Sequence, residues 1–388
     1  MKIVIAPDSF KGSLSASKVA ESITLGINKV LPEAEIVELP LSDGGEGLVD
    51  ALVKATGGET LYQQVTGPLG LPVDSFWGLL GDGKTAVIEM AAASGLNLVP
   101  KEERNPLKTT SFGTGELICS AVNQGCSKLI IGIGGSATND GGVGMAQALG
   151  VRFLDEKGKE LPFGGGELIR LNSIDTSRID FCLKDIDVQV ACDVNNPLTG
   201  CQGASYVYGP QKGATKAMVQ DLDKGLKHYA RILNKDLGIE IENIPGSGAA
   251  GGLGAGLMAF LNGKLTSGID LVMEVIDFEK HLSHASLVFT GEGALDSQSL
   301  FGKVPVGVAR KAKKNNVPVV VIAGSIIENL EIFHEEGITA SFSIINKPLE
   351  LKDALSKTAV LLELTVKEIM NLYVHLLNNF SKKGKINN

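Results

Sequence analysis

The sequence predicts an α/β fold in which both ends of the chain build one parallel sheet and a second domain is inserted between them. Short apolar runs near both ends stop in loops rich in Gly, Asp and Ser and are followed by apolar residues at helical spacing. The middle of the chain instead contains extended segments separated by Gly-containing turns. The length of 388 residues exceeds the ~100–200 residues of a typical domain, so two domains are expected.

The N-terminal region contains strand, polar loop and helix, twice in succession. Residues 3–6 are typical of a buried strand, and the helix after it has an apolar face and can be capped by Ser13 or Ser15. Residues 35–39 form the second predicted strand. The loop after it leads into another amphipathic helix, with Leu48 on the inner face.

The middle of the chain is predicted to begin with antiparallel strands at residues 59–89, which places a domain boundary near residue 62. The α/β pattern then resumes with a strand at residues 128–133, a glycine-rich loop at 134–144, a strand at 188–192 and a long polar helix at about 215–236.

The C-terminal region contains three further strand candidates, at residues 287–290, 317–323 and 340–344. If these join the first two strands in one parallel sheet, the middle of the chain is an inserted domain. The predicted domains are therefore residues 1–62 with 280–388, and residues 63–279.

Composition excludes several classes of function. There are 36 Lys and Arg against 44 Asp and Glu, a formal charge of −8, and only 5% aromatic residues, so a nucleic-acid partner is not expected. The five cysteines form no C-x-x-C pair, which predicts neither a disulfide framework nor a zinc site. An acid follows the N-terminus too closely for a signal peptide, and no stretch is continuously apolar. We therefore expect a soluble cytoplasmic protein with no membrane partner.

The glycine-rich loop reads GIGGSATNDGG at residues 132–142. Its position between a strand and a helix brings free backbone N–H groups to the positive end of a helix, which is typical of an anion site. Ser136, Asn139 and Asp140 suit a phosphate, a metal or a polyol acid. The loop also contains G-x-G-x-x-A, with Asp155 at a distance suited to a ribose contact, so a dinucleotide site stays open. A tight turn with positive φ is the structural alternative.

Two other segments allow either a binding or a structural explanation. GSGAAG at residues 246–251 matches G-x-G-x-x-G but follows a poor strand, so close helix packing and ligand contact are both open. TTSFGTG at residues 109–115 opens a predicted helix and either binds an anion or only caps the helix. No Walker A motif and no G-x-S-x-G elbow are present in the sequence.

Acidic residues follow several of the predicted strands. They are Asp8, Asp43, Glu46, Asp193, Glu292 and Asp296. Ligands of open α/β sheets bind at the carboxyl ends of the strands, and although one acid there is often only a helix cap, repeated acid–glycine loops favour a site. Such acids can hold Mg²⁺ and deprotonate a hydroxyl group, while Lys11 can neutralise phosphate charge. The sequence therefore contains the parts of a small-molecule kinase.

Five segments, taken in order, form a longer pattern. They are KIVIAPDSFKGSLS at residues 2–15, PLSDGGEG at 40–47, the glycine-rich loop at 132–144, DVNNPL at 193–198 and TGEG at 290–293. This pattern resembles the type 1 glycerate kinases of bacteria. The resemblance runs over nearly the whole chain, and several long motifs in register are far more specific than a single glycine-rich loop.

The resemblance implies ATP-dependent phosphorylation of D-glycerate with Mg²⁺, giving ADP and, at the 2-hydroxyl, 2-phosphoglycerate. It also implies a Rossmann-like, doubly wound parallel sheet domain built from both chain ends, a second α/β domain inserted in it, and an active site in the cleft between the two.

Matching positions supply the expected site residues. Catalytic roles are expected of Asp193, as the base for the substrate hydroxyl, of Lys11, as the phosphate clamp, and of Asp8. Substrate or phosphate binding is expected of Ser136, Asn139, Asp140, Asn195, Gly134 and Gly135. Metal binding is expected of Asp43, Glu46, Glu292 and Asp296.

Three alternatives stay open. The glycine-rich loop with Asp155 suits an NAD(P)-dependent hydroxy-acid dehydrogenase, and a two-domain protein can also be a non-catalytic sensor of a sugar acid. Neither explains acids at so many strand ends. A kinase that gives 3-phosphoglycerate is the third alternative, because the two hydroxyl groups lie on adjacent carbons.

Overall fold

The computed structural model describes residues 1–179, 183, 185–326 and 330–384. Its strands are β1 (Lys2–Ile5), β2 (Glu35–Glu38), β3 (Glu59–Thr66), β4 (Pro72–Leu79), β5 (Thr85–Glu89), β6 (Lys128–Gly132), β7 (Arg152–Leu154), β8 (Ser173–Asp175), β9 (Asp187–Ala191), β10 (Lys264–Thr266), β11 (Ala285–Leu295), β12 (Val319–Ile326) and β13 (Ala340–Ser343). Its α-helices are α1 (Ala16–Asn28), α2 (Leu48–Thr56), α3 (Ala91–Ser94), α4 (Phe112–Asn123), α5 (Val143–Ala148), α6 (Ala204–Tyr208), α7 (Lys216–Leu237), α8 (Ala249–Leu261), α9 (Gly268–Val275), α10 (Phe278–Leu282), α11 (Val304–Lys314), α12 (Leu330–Glu335), α13 (Leu351–Ser356) and α14 (Thr358–Gly384). Across the described ranges, none of these helices is long and apolar enough to cross a membrane.

The chain divides into two compact units. The first contains Met1–Asp43 and the chain from Val272 onward, and the second contains Gly44–Leu271. The predicted boundaries, at residues 62 and 280, lie further along the chain than these points. The difference at the first boundary arises because α2 packs against β3, β4 and β5, which are strands of the second unit.

The first unit contains a parallel sheet with the strand order β13-β12-β11-β1-β2. The prediction that the first two and last three strands form one parallel sheet is confirmed. Strand order reverses between β1 and β11, the point of an open α/β sheet at which ligands usually bind.

Both faces of this sheet are covered, as the continuous apolar strands require. Ile3, Val4 and Ile5 of β1 are all 0% exposed, although alternate residues of a strand point to opposite faces. Helices α1 and α14 share a core with one face, and α11 packs against β11 and β12. The helix α1 begins after Ser15, whose hydroxyl accepts a hydrogen bond from the N–H of Lys18.

The second unit contains a six-stranded sheet with the order β10-β9-β6-β5-β4-β3. Strands β10, β9, β6 and β5 are parallel, whereas β3 and β4 form an antiparallel hairpin and β4 also pairs antiparallel with β5. The predicted change to antiparallel pairing at residues 59–89 is therefore confirmed. A second core joins α5, α7 and α8 around Phe153, Tyr229 and Phe260.

Candidate functional site

Acidic and basic side chains of the first unit meet at the carboxyl ends of β1 and β11. The residues that follow β1 still run beside β11, since the N–H of Asp8 donates to the carbonyl of Gly291 at 2.8 Å. Glu292 lies in β11 itself, opposite Ala323 of β12. Because β1 and β11 are the strands between which the order reverses, Asp8 and Glu292 lie at the place where this fold usually binds ligands.

Asp8 is buried among like charges. Its carboxylate accepts a hydrogen bond of 2.6 Å from the N–H of Ser9 and is 4% exposed. Burial and, after it, the nearby carboxylates of Asp43 and Glu292 together raise the pKa of Asp8 to about 7, against the opposing effects of the Ser9 N–H and Lys11. The carboxyl group of Asp8 is therefore poised to exchange a proton near neutral pH.

Two lysines balance part of this negative charge. The amine of Lys11 lies 3.6 Å from Asp43, and its side chain is 68% exposed. The charge of Asp43 raises the pKa of Lys11. The amine of Lys303 lies 3.5 Å from Glu292 and 3.7 Å from Asp296. Glu292 also accepts a hydrogen bond from the hydroxyl of Ser299, and burial raises the pKa of this carboxyl group.

A cavity of about 540 Å³ opens beside these charges, within the first unit. Asp8, Lys11, Glu292 and Lys303 form the charged part of its lining. The volume is in the range of small-molecule sites. The residues predicted from the ends of β1 and β11 thus surround a space large enough for a ligand.

Three of the four predicted metal ligands lie in this unit, namely Asp43, Glu292 and Asp296, while Glu46 lies exposed in the second unit. No group of three metal-binding side chains is close enough to hold an ion in the part of the chain that the structure describes. The carboxylates of Asp43 and Glu292 nevertheless repel that of Asp8, and carboxylate oxygens are the donors that Mg²⁺ prefers. The donor chemistry of these three carboxylates therefore suits a divalent cation, which would relieve the repulsion, but they would have to come closer together to share one.

The glycine-rich loop of the second unit joins β6 to α5. Gly134 and Gly135 are exposed, while residues 136–144 are buried. The start of α8 lies against this loop, and a Cβ atom on Gly251 would come within 1.9 Å of the Thr138 carbonyl oxygen. Gly251 also has a φ of +70°. The second glycine motif therefore serves close packing against the first.

Asp140 holds this loop from inside the unit. It is 1% exposed, and its carboxylate accepts hydrogen bonds from the N–H and hydroxyl of Ser111, both at 2.8 Å, and from the N–H groups of Gly142 and Gly144, both at 3.2 Å. Burial raises the pKa of Asp140 against these four donors. These bonds fix the loop to the start of α4. The polar TTSFGTG segment at the start of that helix therefore has a structural role, a buried contact with Asp140.

Asn139 lies beside Asp140 and is 0% exposed. Its side-chain N–H₂ donates to the hydroxyl of Ser205 at 3.0 Å. Among the described residues, its side-chain oxygen and the hydroxyl of Thr138 have no hydrogen-bond partner. Unpaired buried polar atoms are uncommon and cost free energy, so they mark this loop as a place where a further partner is expected.

Lys212 contacts the glycine-rich loop and was not predicted from the sequence as a site residue. Its amine is buried and donates to the hydroxyl of Ser136 at 2.6 Å and to the carbonyl of Thr138 at 2.7 Å. Burial lowers the pKa of Lys212 to about 7, and the charge of Asp140 opposes this effect. No signal in the sequence indicates this position, because a lysine between turn glycines is typical of an exposed loop.

The end of β9 brings the predicted base to the same edge of the second sheet. Strands β6 and β9 are parallel neighbours, so the residues that follow them share one edge. Asp193 is exposed, and one carboxylate oxygen accepts a hydrogen bond of 2.9 Å from the N–H of Gly268. Asn195 is also exposed, whereas Asn196 accepts a hydrogen bond from the hydroxyl of Tyr208.

Asp155, the acid of the dinucleotide alternative, is engaged in a turn. Its carboxylate accepts hydrogen bonds of 2.9 Å from the N–H groups of Lys157 and Lys159 and forms an ion pair with Arg170 at 3.4 Å. These contacts give Asp155 a structural role in the turn that follows β7.

Comparisons with known proteins agree over the whole chain. The family model described as "Glycerate kinase family" matches residues 3–374. A glycerate 2-kinase of Escherichia coli (strain K12) is 55% identical over 354 residues, which are 91% of this chain and 93% of that protein. A glycerate kinase of Bacillus subtilis (strain 168) is 54% identical over 369 residues, 95% of this chain and 97% of that protein. The crystal structure of a Salmonella typhimurium LT2 protein, assigned as glycerate kinase 2, aligns with a TM-score of 0.89 at 49% identity and covers 97% of this chain and 99% of that one.

Proposed function

The chain belongs to the glycerate kinase family, and from that premise we propose that it transfers the γ-phosphoryl group of ATP to the 2-hydroxyl of D-glycerate. The products are 2-phosphoglycerate and ADP. The 2-hydroxyl is favoured over the 3-hydroxyl because the similar Escherichia coli protein is named a glycerate 2-kinase.

The observation that carries this proposal is the charged cavity at the reversal point of the first sheet. Phosphoryl transfer depends mainly on positioning and on neutralising the charge of the phosphates, so it needs cations beside carboxylates and no covalent nucleophile. Lys11 and Lys303 provide the cations, and Lys11 is the more exposed of the two, at 68% against 26% of the side chain. Lys11 therefore acts as the phosphate clamp.

Asp8, Asp43 and Glu292 are the residues that would hold Mg²⁺. A bound Mg²⁺ supplies further neutralisation of phosphate charge. Lys11 and Lys303 form ion pairs with two of these carboxylates, those of Asp43 and Glu292.

The second unit supplies the groups for the organic acid. The exposed backbone of Gly134 and Gly135 and the hydroxyl of Ser136 bind the anionic end of glycerate, and Asp140 holds their loop from within. Asp193 takes the proton of the substrate hydroxyl. Its contact with the N–H of Gly268 orients the carboxylate for that step.

The proposal is tested by incubating purified protein with ATP, Mg²⁺ and D-glycerate and measuring ADP release. Release that depends on D-glycerate and is absent with L-glycerate is expected. Reduction of NAD(P) by a hydroxy acid without ADP release would favour the dehydrogenase. Binding of the acid without turnover would favour the sensor.

A cytoplasmic location belongs to the same proposal. Cys119, Cys126, Cys192 and Cys201 are free thiols, which are typical of proteins kept in a reducing compartment. The proposed reaction also needs ATP, which the cytoplasm supplies.

A further inference from the structure

The cavity of the first unit has an uncharged part whose chemistry the phosphates and glycerate do not explain. Five large aliphatic side chains, Ile or Leu, line it, all from the segment that follows β13 and enters α13. They are Ile344, Ile345, Leu349, Leu351 and Leu355.

Most of these aliphatic side chains are exposed and do not pack in the hydrophobic core. The exposed fraction is 74% for Leu351, 39% for Leu355 and 38% for Ile345. Only Ile344, at 2%, belongs to the buried core of this unit, with Leu349 packed partly against it. Apolar side chains that cluster in the lining of a cavity indicate a surface for an apolar ligand group.

The aliphatic segment is tied to the loop that carries the charged residues. The hydroxyl of Ser13 donates to the carbonyl of Leu355 and contacts the hydroxyl of Thr358, both at 2.7 Å. Ser13 lies two residues beyond Lys11, while Leu355 and Thr358 belong to α13 and α14. The charged and aliphatic parts of the lining are thus held by one local hydrogen-bond network.

All of the lining lies at one edge of the sheet. Asp8 follows β1, Glu292 lies in β11, Gly324 lies in β12 and Ile344 follows β13, and these four strands are parallel neighbours. A ligand that spans the cavity therefore contacts charged groups near β1 and β11 and aliphatic groups beyond β13.

Glycerate does not match this lining, because each of its three carbons carries oxygen and it has no apolar face. A nucleoside triphosphate does match it, since a purine ring is flat and largely apolar on its faces while the polyphosphate is anionic. We infer that Ile345, Leu351 and Leu355 form the purine-binding wall of the nucleotide site, with the phosphates toward Lys11 and Lys303. This inference rests on the proposed function, because that function supplies the nucleotide.

The test compares ADP with inorganic tripolyphosphate, which has the phosphates but no purine. The variant Leu351→Gln/Leu355→Gln makes the wall polar without adding charge. Because both side chains are exposed, the change spares the core. We expect the dissociation constant for ADP, measured by calorimetry, to rise at least about tenfold, the scale of a lost apolar contact in a pocket. The dissociation constant for tripolyphosphate should stay within about twofold of wild type.

A matched control is Leu372→Gln/Leu376→Gln. These leucines are 59% and 44% exposed on α14 and do not line the cavity, so ADP binding should match wild type. Steady-state kinetics provide a second readout. The wall variant should raise KM for ATP and leave KM for D-glycerate unchanged.

Unchanged ADP affinity in the wall variant would overturn the inference, as would an equal loss of ADP and tripolyphosphate affinity. Failure of the proposed function has a different signature. In that case wild-type protein releases no ADP with D-glycerate, and the comparison of ADP with tripolyphosphate still decides whether the wall binds purine.

Discussion

The buried amine of Lys212 donates a hydrogen bond of 2.6 Å to the hydroxyl oxygen of Ser136. This contact occupies an acceptor position of the serine oxygen, so the serine proton is directed to another partner. Ser136 adjoins the exposed Gly134 and Gly135, where an anion has access to backbone N–H groups. Under the proposed function, Lys212 is therefore a positioning residue that prepares Ser136 to donate to an anionic substrate.

Lys212→Met should remove a pH dependence of stability. Burial lowers the pKa of Lys212 to about 7, against about 10.4 in an unfolded chain. Between these values the unfolded chain binds the extra proton, so Lys212 makes stability rise with pH from about 7 to 10, by about 1.4 kcal/mol per pH unit, and adds no slope below 7. The Tm of the wild type should therefore rise relative to that of the variant over that interval. Lys18→Met, at an exposed position, is the control. A constant difference in Tm would contradict the buried, neutral state of Lys212.

Asp140→Asn should destabilise the protein. The amide replaces a carboxylate that accepts four hydrogen bonds inside the second unit, and at least one buried donor loses its partner. The expected cost is about 2–4 kcal/mol, which lowers Tm by roughly 5–10 °C in scanning calorimetry. Asp221→Asn on α7, where the side chain is 67% exposed, should change Tm by less than about 2 °C. A stable Asp140→Asn protein would show that these bonds do not hold the loop.

Asp193→Asn should lower kcat at least about a hundredfold, the usual scale for a lost general base. Tm should not change, because the side chain is exposed and the amide oxygen still accepts from Gly268. The measurement is ADP release at saturating ATP and D-glycerate. Wild-type turnover in this variant would remove Asp193 from the mechanism.

Lys11→Met should raise KM for ATP or lower kcat about tenfold or more, because the variant loses the cation that the proposed function places beside the phosphates. KM for D-glycerate should change little. Lys18→Met in α1 is the matched control, since Lys18 pairs only with Glu21 on the helix surface among the contacts described. Kinetics equal to wild type for Lys11→Met would end its assignment as the phosphate clamp.

The acidic residues at the carboxyl ends of the first unit's strands were predictable from sequence, because their position depends on the residues next to them in the chain. A buried run such as residues 3–6 ends where the chain leaves the sheet, so the acid that follows must lie at the carboxyl edge. Parallel pairing of the strands from both chain ends then brings Asp8 and Glu292 together. Ser15 as the cap of α1 likewise follows from short-range hydrogen bonding.

Lys212 and the inner role of Asp140 could not be predicted in this way. Both depend on contacts between distant segments: Lys212 reaches Ser136, and Asp140 reaches Ser111. Hydrophobic periodicity carries no information about which polar side chain will be buried. The first domain boundary could not be placed from the sequence for the same reason, because only the packing of α2 on the second sheet assigns that helix to the second unit.

The most direct test of the central claim is ³¹P NMR of the product formed from D-glycerate, ATP and Mg²⁺ by the purified protein. A 2-phosphoglycerate resonance that appears together with ADP is the predicted result. A 3-phosphoglycerate resonance would retain the kinase but contradict the proposed position of transfer, and the absence of both products would contradict the function itself.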